Sequence, residues 1–347
     1  MKIGIVGFRG AGKTTIFNAL TGLKAQTGAA GERRNPHLGV IKVPDQRIET
    51  LGGMLKVKKL THVEIAFTDF PPGKDDKALD PTKLNQMKEA DALAQVVRCF
   101  GPPYSTTRPS PLKDIQEFAA ELKLADLAAI ENRLARLKKE KDHAQEKELL
   151  ERCKAHVERE LPLRLMALND EEEKKLAGFG FLSQKPLLVL LNQAEEDIGK
   201  TLPSELADFL AKERVEAIPL CGKVEMELAD LEEKERLEFL KELGLAESAR
   251  ERFVRSCYAL LDLVSFLTHN EAEVRAWSVR RGTSAIKAAG KVHSDMERGF
   301  IRAEVVHYED FVKCGSDAKC REAGKFKLEG KDYVVQDGDI IRFRFHV

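Results

Sequence analysis

The sequence carries no net charge: 57 Lys and Arg residues balance 57 Asp and Glu. That balance excludes gross polyelectrolyte binding to nucleic acid, leaves only a local basic face as a route to it, and gives no expectation of sequence-specific DNA contact. There is no run of about 18 apolar residues, so no segment is expected to span a membrane. The opening stretch MKIGIVGF is a short apolar strand pattern, too brief for a signal peptide. The six cysteines, at 99, 153, 221, 257, 314 and 320, form no C-x-x-C pair. In a chain of this size they are expected to be reduced, mostly buried thiols of a cytoplasmic protein. Cys314 and Cys320, close together in a polar stretch, are the pair to consider for redox chemistry. No cysteine has an evident histidine partner for nucleophilic catalysis. His62, His293 and His307 lack the spacing of metal ligands.

What is present begins at the N-terminus. Residues 7–14 read GFRGAGKT, a complete G-x-x-x-x-G-K-[ST] pattern. It follows a buried-strand run, Lys2 to Val6, and precedes a helix start at Thr15–Leu20. Strand, loop and helix are what phosphate binding requires. Gly7, Gly10 and Gly12 free the backbone to aim its N–H groups at phosphate oxygens, with Ala11 and Thr15 in the same loop and helix start. Lys13 is expected to reach the β- and γ-phosphates, and the Thr14 hydroxyl to ligate Mg²⁺.

A second signal is LVLLNQAEED, residues 188–197: a buried strand that stops at polar residues. Many GTPases hold guanine with Asn-Lys-x-Asp at such a strand end. Here Gln193 stands for the Lys and Glu195 for the Asp. Glu is one methylene longer, which moves the carboxylate by roughly 1.5 Å and spoils a bidentate contact to guanine. Gln193 lacks the long stem that packs over a ring. Asn192 is thus the candidate for a base-edge hydrogen bond, and Glu195 for rejecting guanine or acting through water. The competing reading is a helix cap, since Asn followed three residues later by Glu is a capping-box variant.

The length of 347 residues points to two or three domains. Residues 1 to about 110 alternate strand and helix signals, as in an α/β parallel sheet. Residues 61–68 read as one strand ending at Asp69, and 94–100 as another. From about 112 to 160 glycine nearly disappears. Leu124, Leu127, Ile130, Leu134 and Leu137 repeat at helical spacing, 138–143 turns the chain, and Leu149, Leu150, Cys153 and Val157 stripe a return helix ended by Pro162. Arms of about 25 residues would each reach nearly 40 Å. The sheet resumes at Leu187, with one more strand and its loop at 218–223. Helices are expected to about 265. Short strands follow at 274–279, 301–306, 325–328, 332–335 and 340–345, with turns at Gly330-Lys331 and 336–339.

Several of these stretches, VVRCF at 96–100, NQAE at 192–195, KVEMELADL at 223–231, 274–306 and the C-terminal KLEGKDYVVQDGDIIRFRF, resemble the YchF-type, Obg-like ATPases, in order and over nearly the whole chain. The resemblance implies a P-loop NTPase G domain (1–111 and 180–264), an inserted helical, coiled-coil hairpin (112–179) and a C-terminal ubiquitin-like β-grasp domain, called TGS (265–347). It implies ATP preferred to GTP, Mg²⁺ as cofactor and the ribosome or ribosomal RNA as partner. The loop at Cys221, Gly222 and Lys223 would close over the base.

The chain also departs from that family. Arg9-Gly10 replaces a Pro-Asn pair in the phosphate loop, which makes Arg9 a candidate phosphate contact, acting in cis as an arginine finger does. The first-switch stretch, residues 31–39, has no hydroxyl; Arg33 falls where a Thr belongs, and Thr27 is the nearest alternative. In the second switch Pro72 takes the place of a Gly whose N–H would bond the γ-phosphate, and Gly73 serves only if the loop slips by one. Asp69 still suits a water-mediated Mg²⁺ contact. No side chain is clearly placed to orient water. Three functions follow: a slow ATPase regulating a ribosomal partner, a GTPase with an unusual specificity loop, or a non-hydrolysing adaptor acting through the C-terminal domain, whose Lys325, Lys327, Lys331, Arg342 and Arg344 could form an RNA-facing patch or a solvated face.

Overall fold

The computed structural model describes residues 1–25, 35–71, 78–101, 108–140 and 143–346. Thr27, Arg33, Pro72 and Gly73, on which the switch expectations rest, lie outside them. The strands, in chain order, are β1 (Lys2–Val6), β2 (His37–Lys42), β3 (Lys59–Thr61), β4 (Glu64–Asp69), β5 (Ala92–Arg98), β6 (Leu187–Asn192), β7 (Glu216–Leu220), β8 (Leu263–His269), β9 (Glu273–Arg280), β10 (Phe300–His307), β11 (Lys327–Glu329) and β12 (Asp339–Phe345). They form two sheets. The chain divides into two compact units, Met1–Val40 with Ala66–Cys257, and Ile41–Ile65 with Tyr258–Val347.

In the first unit the sheet order is β2-β4-β1-β5-β6-β7. β1 runs parallel to both β4 and β5, β5 to β6, and β6 to β7. All six residues of β6 and six of the seven in β5 are buried, the signature of strands covered on both faces. Because the strands are parallel, the C-terminal ends of β1, β4, β6 and β7 meet at one edge. The order reverses direction on either side of β1, which is where open α/β sheets bind ligands.

Between β5 and β6 the chain makes the hairpin. Helix Pro111–Leu137 opens with proline in its first turn, where no N–H is missed. The return helix Ala144–Glu158 has 15 residues, shorter than the 25 expected, and Glu160 takes a positive φ two residues before Pro162. Ile130, Leu137, Leu149, Leu150, Cys153 and Val157 form the seam. Leu124, counted in the apolar stripe from sequence, is 65% exposed; the buried side at that level is Leu122 and Asp126. The Asp126 carboxylate accepts from the backbone N–H groups of Leu182 and Ser183, both at 2.7 Å, tying the long helix to the segment that leads into β6.

In the second unit the order is β11-β10-β12-β8-β9-β3. β3 runs parallel to β9. The stretch 61–68, expected as one strand, is therefore two: it breaks at His62-Val63, and β3 and β4 join different sheets. β8 was expected to be the end of a helix. The helix Ala249–Leu260 stops instead because Asp262 adopts φ +47°, and the apolar run that follows turns into strand. Residues 332–335 make no strand, only an isolated bridge from Val334 to Ser284. The 336–339 turn is held by Asp339, which is fully buried and accepts from the Tyr333 hydroxyl and the Gln336 N–H. Cys320 lies fully buried within helix Asp317–Glu322, and Cys314 ends helix Tyr308–Cys314, so neither sits in a polar loop. All six thiols are free.

Asp126 yields a test. Burial pushes its carboxyl above the ordinary range, outweighing the hydrogen bonds that pull it down. The folded chain thus holds that proton more readily than the unfolded one. The stabilisation linked to it is complete below the ordinary carboxylate range and is lost as pH rises through the raised folded value. Asp126→Ala removes the acceptor of two buried N–H groups and should cost about 2–4 kcal/mol in urea denaturation near neutral pH. Asp126→Asn should flatten the pH dependence.

Candidate functional site

The phosphate loop leaves β1 at Gly7, whose φ is +139°; a Cβ there would stand 2.4 Å from the Val96 carbonyl oxygen of β5. Gly12, φ +88°, is hemmed in from the other side: a Cβ would meet the Asn192 Nδ2 at 2.2 Å. Helix Lys13–Thr21 begins at Gly12 with no side-chain cap, so its first N–H groups remain available to an anion. Ala11 is buried, and Thr14 and Thr15 are partly buried in the first turn. Lys13, only 6% exposed, curls into the loop and donates to the carbonyls of Gly7 (2.7 Å) and Phe8 (2.8 Å). Its ammonium is thus held where phosphates would enter. Arg9 and Gly10 are exposed at the tip.

Asp69 ends β4 fully buried, and the Thr14 hydroxyl donates to its Oδ2 at 3.0 Å. The two residues chosen from sequence for Mg²⁺ are therefore together. A hydroxyl and a carboxylate are hard oxygen donors, the set Mg²⁺ prefers, and they would hold the ion with triphosphate oxygens and water completing its shell. His37 joins them, its Nδ1 3.8 Å from the same Asp69 oxygen and its ring 6.1 Å from that of Phe17. Sequence reasoning missed it because the first-switch stretch was searched for a hydroxyl. The signal available was position: His37 opens a strand that pairs with the one carrying Asp69.

At the base end, Asn192 is the last residue of β6 and is 5% exposed. Its Nδ2 donates to the Ala11 carbonyl and its Oδ1 accepts from the Gly222 N–H, both at 3.0 Å. The side chain is a strut between the phosphate loop and the β7 loop. One N–H and one lone pair remain for any contact with a base. The capping box does not form: the 3₁₀ turn Glu195–Asp197 is preceded by Ala194, not Asn192. Gln193 donates its backbone N–H to Leu220 and is half-buried. Glu195 projects outward, 3.5 Å from the Lys223 ammonium. The loop expected at 221–223 is shorter than that, because helix Gly222–Asp230 starts immediately after Cys221. Cys221 packs with Val224, Leu228 and Leu240.

The neighbouring Cys99 donates its N–H to the Asn192 carbonyl, and burial, with Asp114 and Asp197 nearby, pushes its thiol up to about 12. It stays protonated and is no nucleophile. In the C-terminal unit three of the five cations considered for RNA are ion-paired. Arg342 pairs with Asp317 at 3.0 Å, Lys325 with Asp310 at 3.2 Å, and Arg344 with Glu304. That describes an ion-paired, solvated face.

Comparison with known proteins bears on the family and the fold. A family model described as a 50S ribosome-binding GTPase matches residues 2–119, and the YchF-GTPase C-terminal model, described as a protein of unknown function, matches residues 263–346. The chain is 38% identical to the ribosome-binding ATPase YchF of Bacillus subtilis over all of both chains. It is 37% identical to that of Haemophilus influenzae, covering 100% of this chain and 99% of the relative. The solved structure of the Schizosaccharomyces pombe YchF GTPase superposes with a TM-score of 0.87 at 27% identity, covering 99% and 97% of the two chains.

The strut makes a prediction that separates grip from base reading. Asn192→Ala frees two loops at once and should weaken Mg-ATP and Mg-GTP together, by about tenfold or more in calorimetry. A loss confined to ATP would mean that the amide reads the base instead.

Proposed function

The chain belongs to the YchF family, and from that premise we propose that it is a slow, Mg²⁺-dependent ATPase acting as a regulatory switch on a ribosomal partner in the cytoplasm. The observation that carries this reading is the joint arrangement at the sheet edge: an uncapped helix start, Lys13 in the loop mouth, Thr14 on Asp69, and Asn192 bracing both loops. The nucleotide-binding work falls to Met1–Val40 with Ala66–Cys257, carrying 112–179 as the inserted arm, and the TGS-like part takes in Ile41–Ile65 and Tyr258–Val347, wider than the 265–347 expected from sequence.

Thr14 and Asp69 would hold Mg²⁺, which would supply positive charge against the charge that builds up on the triphosphate. The chain's own part is positioning. Backbone N–H groups of residues 10–15 cradle the phosphates, and Lys13 exchanges its two carbonyl partners for phosphate oxygens. Thr14 and Asp69 fix the cation's place. No side chain among the described residues is built to orient an attacking water, which supports slow turnover unless a partner assists. Among those residues, no helix is long and apolar enough to cross a membrane.

The Bacillus subtilis relative is named an ATPase and the Schizosaccharomyces pombe one a GTPase, so GTP is the second reading for the base. The outward Glu195, paired with Lys223, favours ATP, because it offers guanine no aligned carboxylate. Titration of nucleotide-free protein with Mg-ATP and Mg-GTP, followed by phosphate release with and without ribosomes, tests the whole proposal. ATP should bind more tightly, and release should be slow and faster with ribosomes. Tighter GTP would make this a guanine switch. Binding without release under either condition would leave a nucleotide-bound adaptor. The double substitution Gln193→Lys with Glu195→Asp should move the preference toward GTP by about tenfold or more, the size of one regained charged hydrogen-bond pair.

A further inference from the structure

In the C-terminal unit an aromatic row crosses four strands: Phe300 on β10, Phe343 on β12, Phe266 on β8 and Trp277 on β9, with successive ring centroids 6.3, 6.1 and 6.4 Å apart. The row ends on a cation. The guanidinium carbon of Arg275 lies 4.1 Å from the centre of the Trp277 ring. The indole cannot turn freely, because its N–H donates to the Thr268 hydroxyl at 3.0 Å. Arg275 and Trp277 both line a cavity of about 400 Å³. Val292, Met296 and Ile341 give it apolar walls, Asn270 and His293 add polar groups, and Glu273, paired with Lys59, and Arg342, paired with Asp317, add charged ones.

We propose that this cavity binds an unstacked nucleobase of single-stranded RNA, received on the Arg275–Trp277 stack. The chemistry selects that ligand in three ways. A guanidinium laid on an indole presents a planar π-compatible surface, and bases stack on aromatic rings and on arginine planes alike. The positive charge beside the stack suits a nucleotide's phosphate and disfavours a basic peptide anchor. The volume lies within the range of small-ligand sites, while a base locked inside a double helix could not enter. Of the ion-paired cations, Arg342 lines the cavity, whereas Lys325 and Arg344 do not and are not required. The proposal rests on the ribosome reading for the source of the RNA, but its recognition chemistry stands apart from the nucleotide site.

Trp277 is the chain's single tryptophan, so its emission reports this cavity alone. The full-length protein would be titrated with a short single-stranded adenine-rich RNA and with a blunt RNA duplex, following tryptophan emission and the anisotropy of labelled RNA together. Single-stranded RNA should quench the emission to saturation, and the duplex should not. Arg275→Glu, which reverses the stacked charge, and Met296→Phe, which fills the cavity but keeps its apolar wall, should each weaken binding about tenfold or more, the loss of one stacked base. Both variants should keep Mg-ATP binding, which separates lost occupancy from misfolding. RNA binding that leaves the emission unchanged, or that both variants retain in full, overturns the proposal. So does quenching by an apolar peptide and not by RNA. Ribosome co-sedimentation discriminates the two readings: its absence with quenching intact removes the ribosome reading alone, and its presence without quenching removes the cavity.

Discussion

A parallel sheet brings several loops to one edge, but it does not fix their spacing. In this chain the Asn192 amide does that. Its two ends hold the Ala11 carbonyl and the Gly222 N–H, residues 181 and 30 positions away in sequence. Both bonds are buried, so neither loop can drift without exposing an unpaired polar group in a low-dielectric site. Gly12 is forced by the same contact, since any side chain there would occupy the amide's place. The loop after β1 and the loop after β7 are one mechanical unit.

Around that unit the structure divides its chemistry. Hard oxygen donors at Thr14 and Asp69, the loop N–H groups and Lys13 are in place to hold a charged ligand. Triggered cleavage has no such support among the described residues. His37 adds an imidazole beside the buried carboxylate, at the start of the strand where the chain leaves the first switch. On the proposed reading, a site that binds firmly and turns over slowly would spend most of its cycle loaded, which suits a protein whose output is a state rather than a product.

Much of this was legible in the sequence. The phosphate loop was readable because its chemistry needs fixed residue types at fixed spacing, and β6 because continuous burial demands a continuous apolar run. The meeting of Thr14 with Asp69 followed from parallel topology. Other features were not local. Leu124 looked like core because the stripe was counted along one helix, whereas burial there is decided by Asp126 and the segment it caps. β8 was hidden by a run of apolar residues that fits helix or strand equally, and the arbiter was a single left-handed Asp262. Asn192 was singled out as a base contact, but its role as a strut was invisible because both its partners are backbone atoms far away in sequence. The aromatic row on the second sheet could not be seen from spacing, since its members come from four strands.

The second sheet also constrains how the chain can be made. β3 leaves the ribosome early, yet among the described residues its sheet neighbour is β9, and the Thr61 hydroxyl finds its acceptor on Glu273, 212 residues downstream. Residues 41–65 must therefore wait, their strand edge unpaired, while β4, β5, the hairpin, β6 and β7 are synthesised. The C-terminal segment cannot be detached as an autonomous module without leaving β9 as a bare edge. Birth order and spatial order run against each other here, so the last strands translated close a structure whose first strand has been present almost from the start.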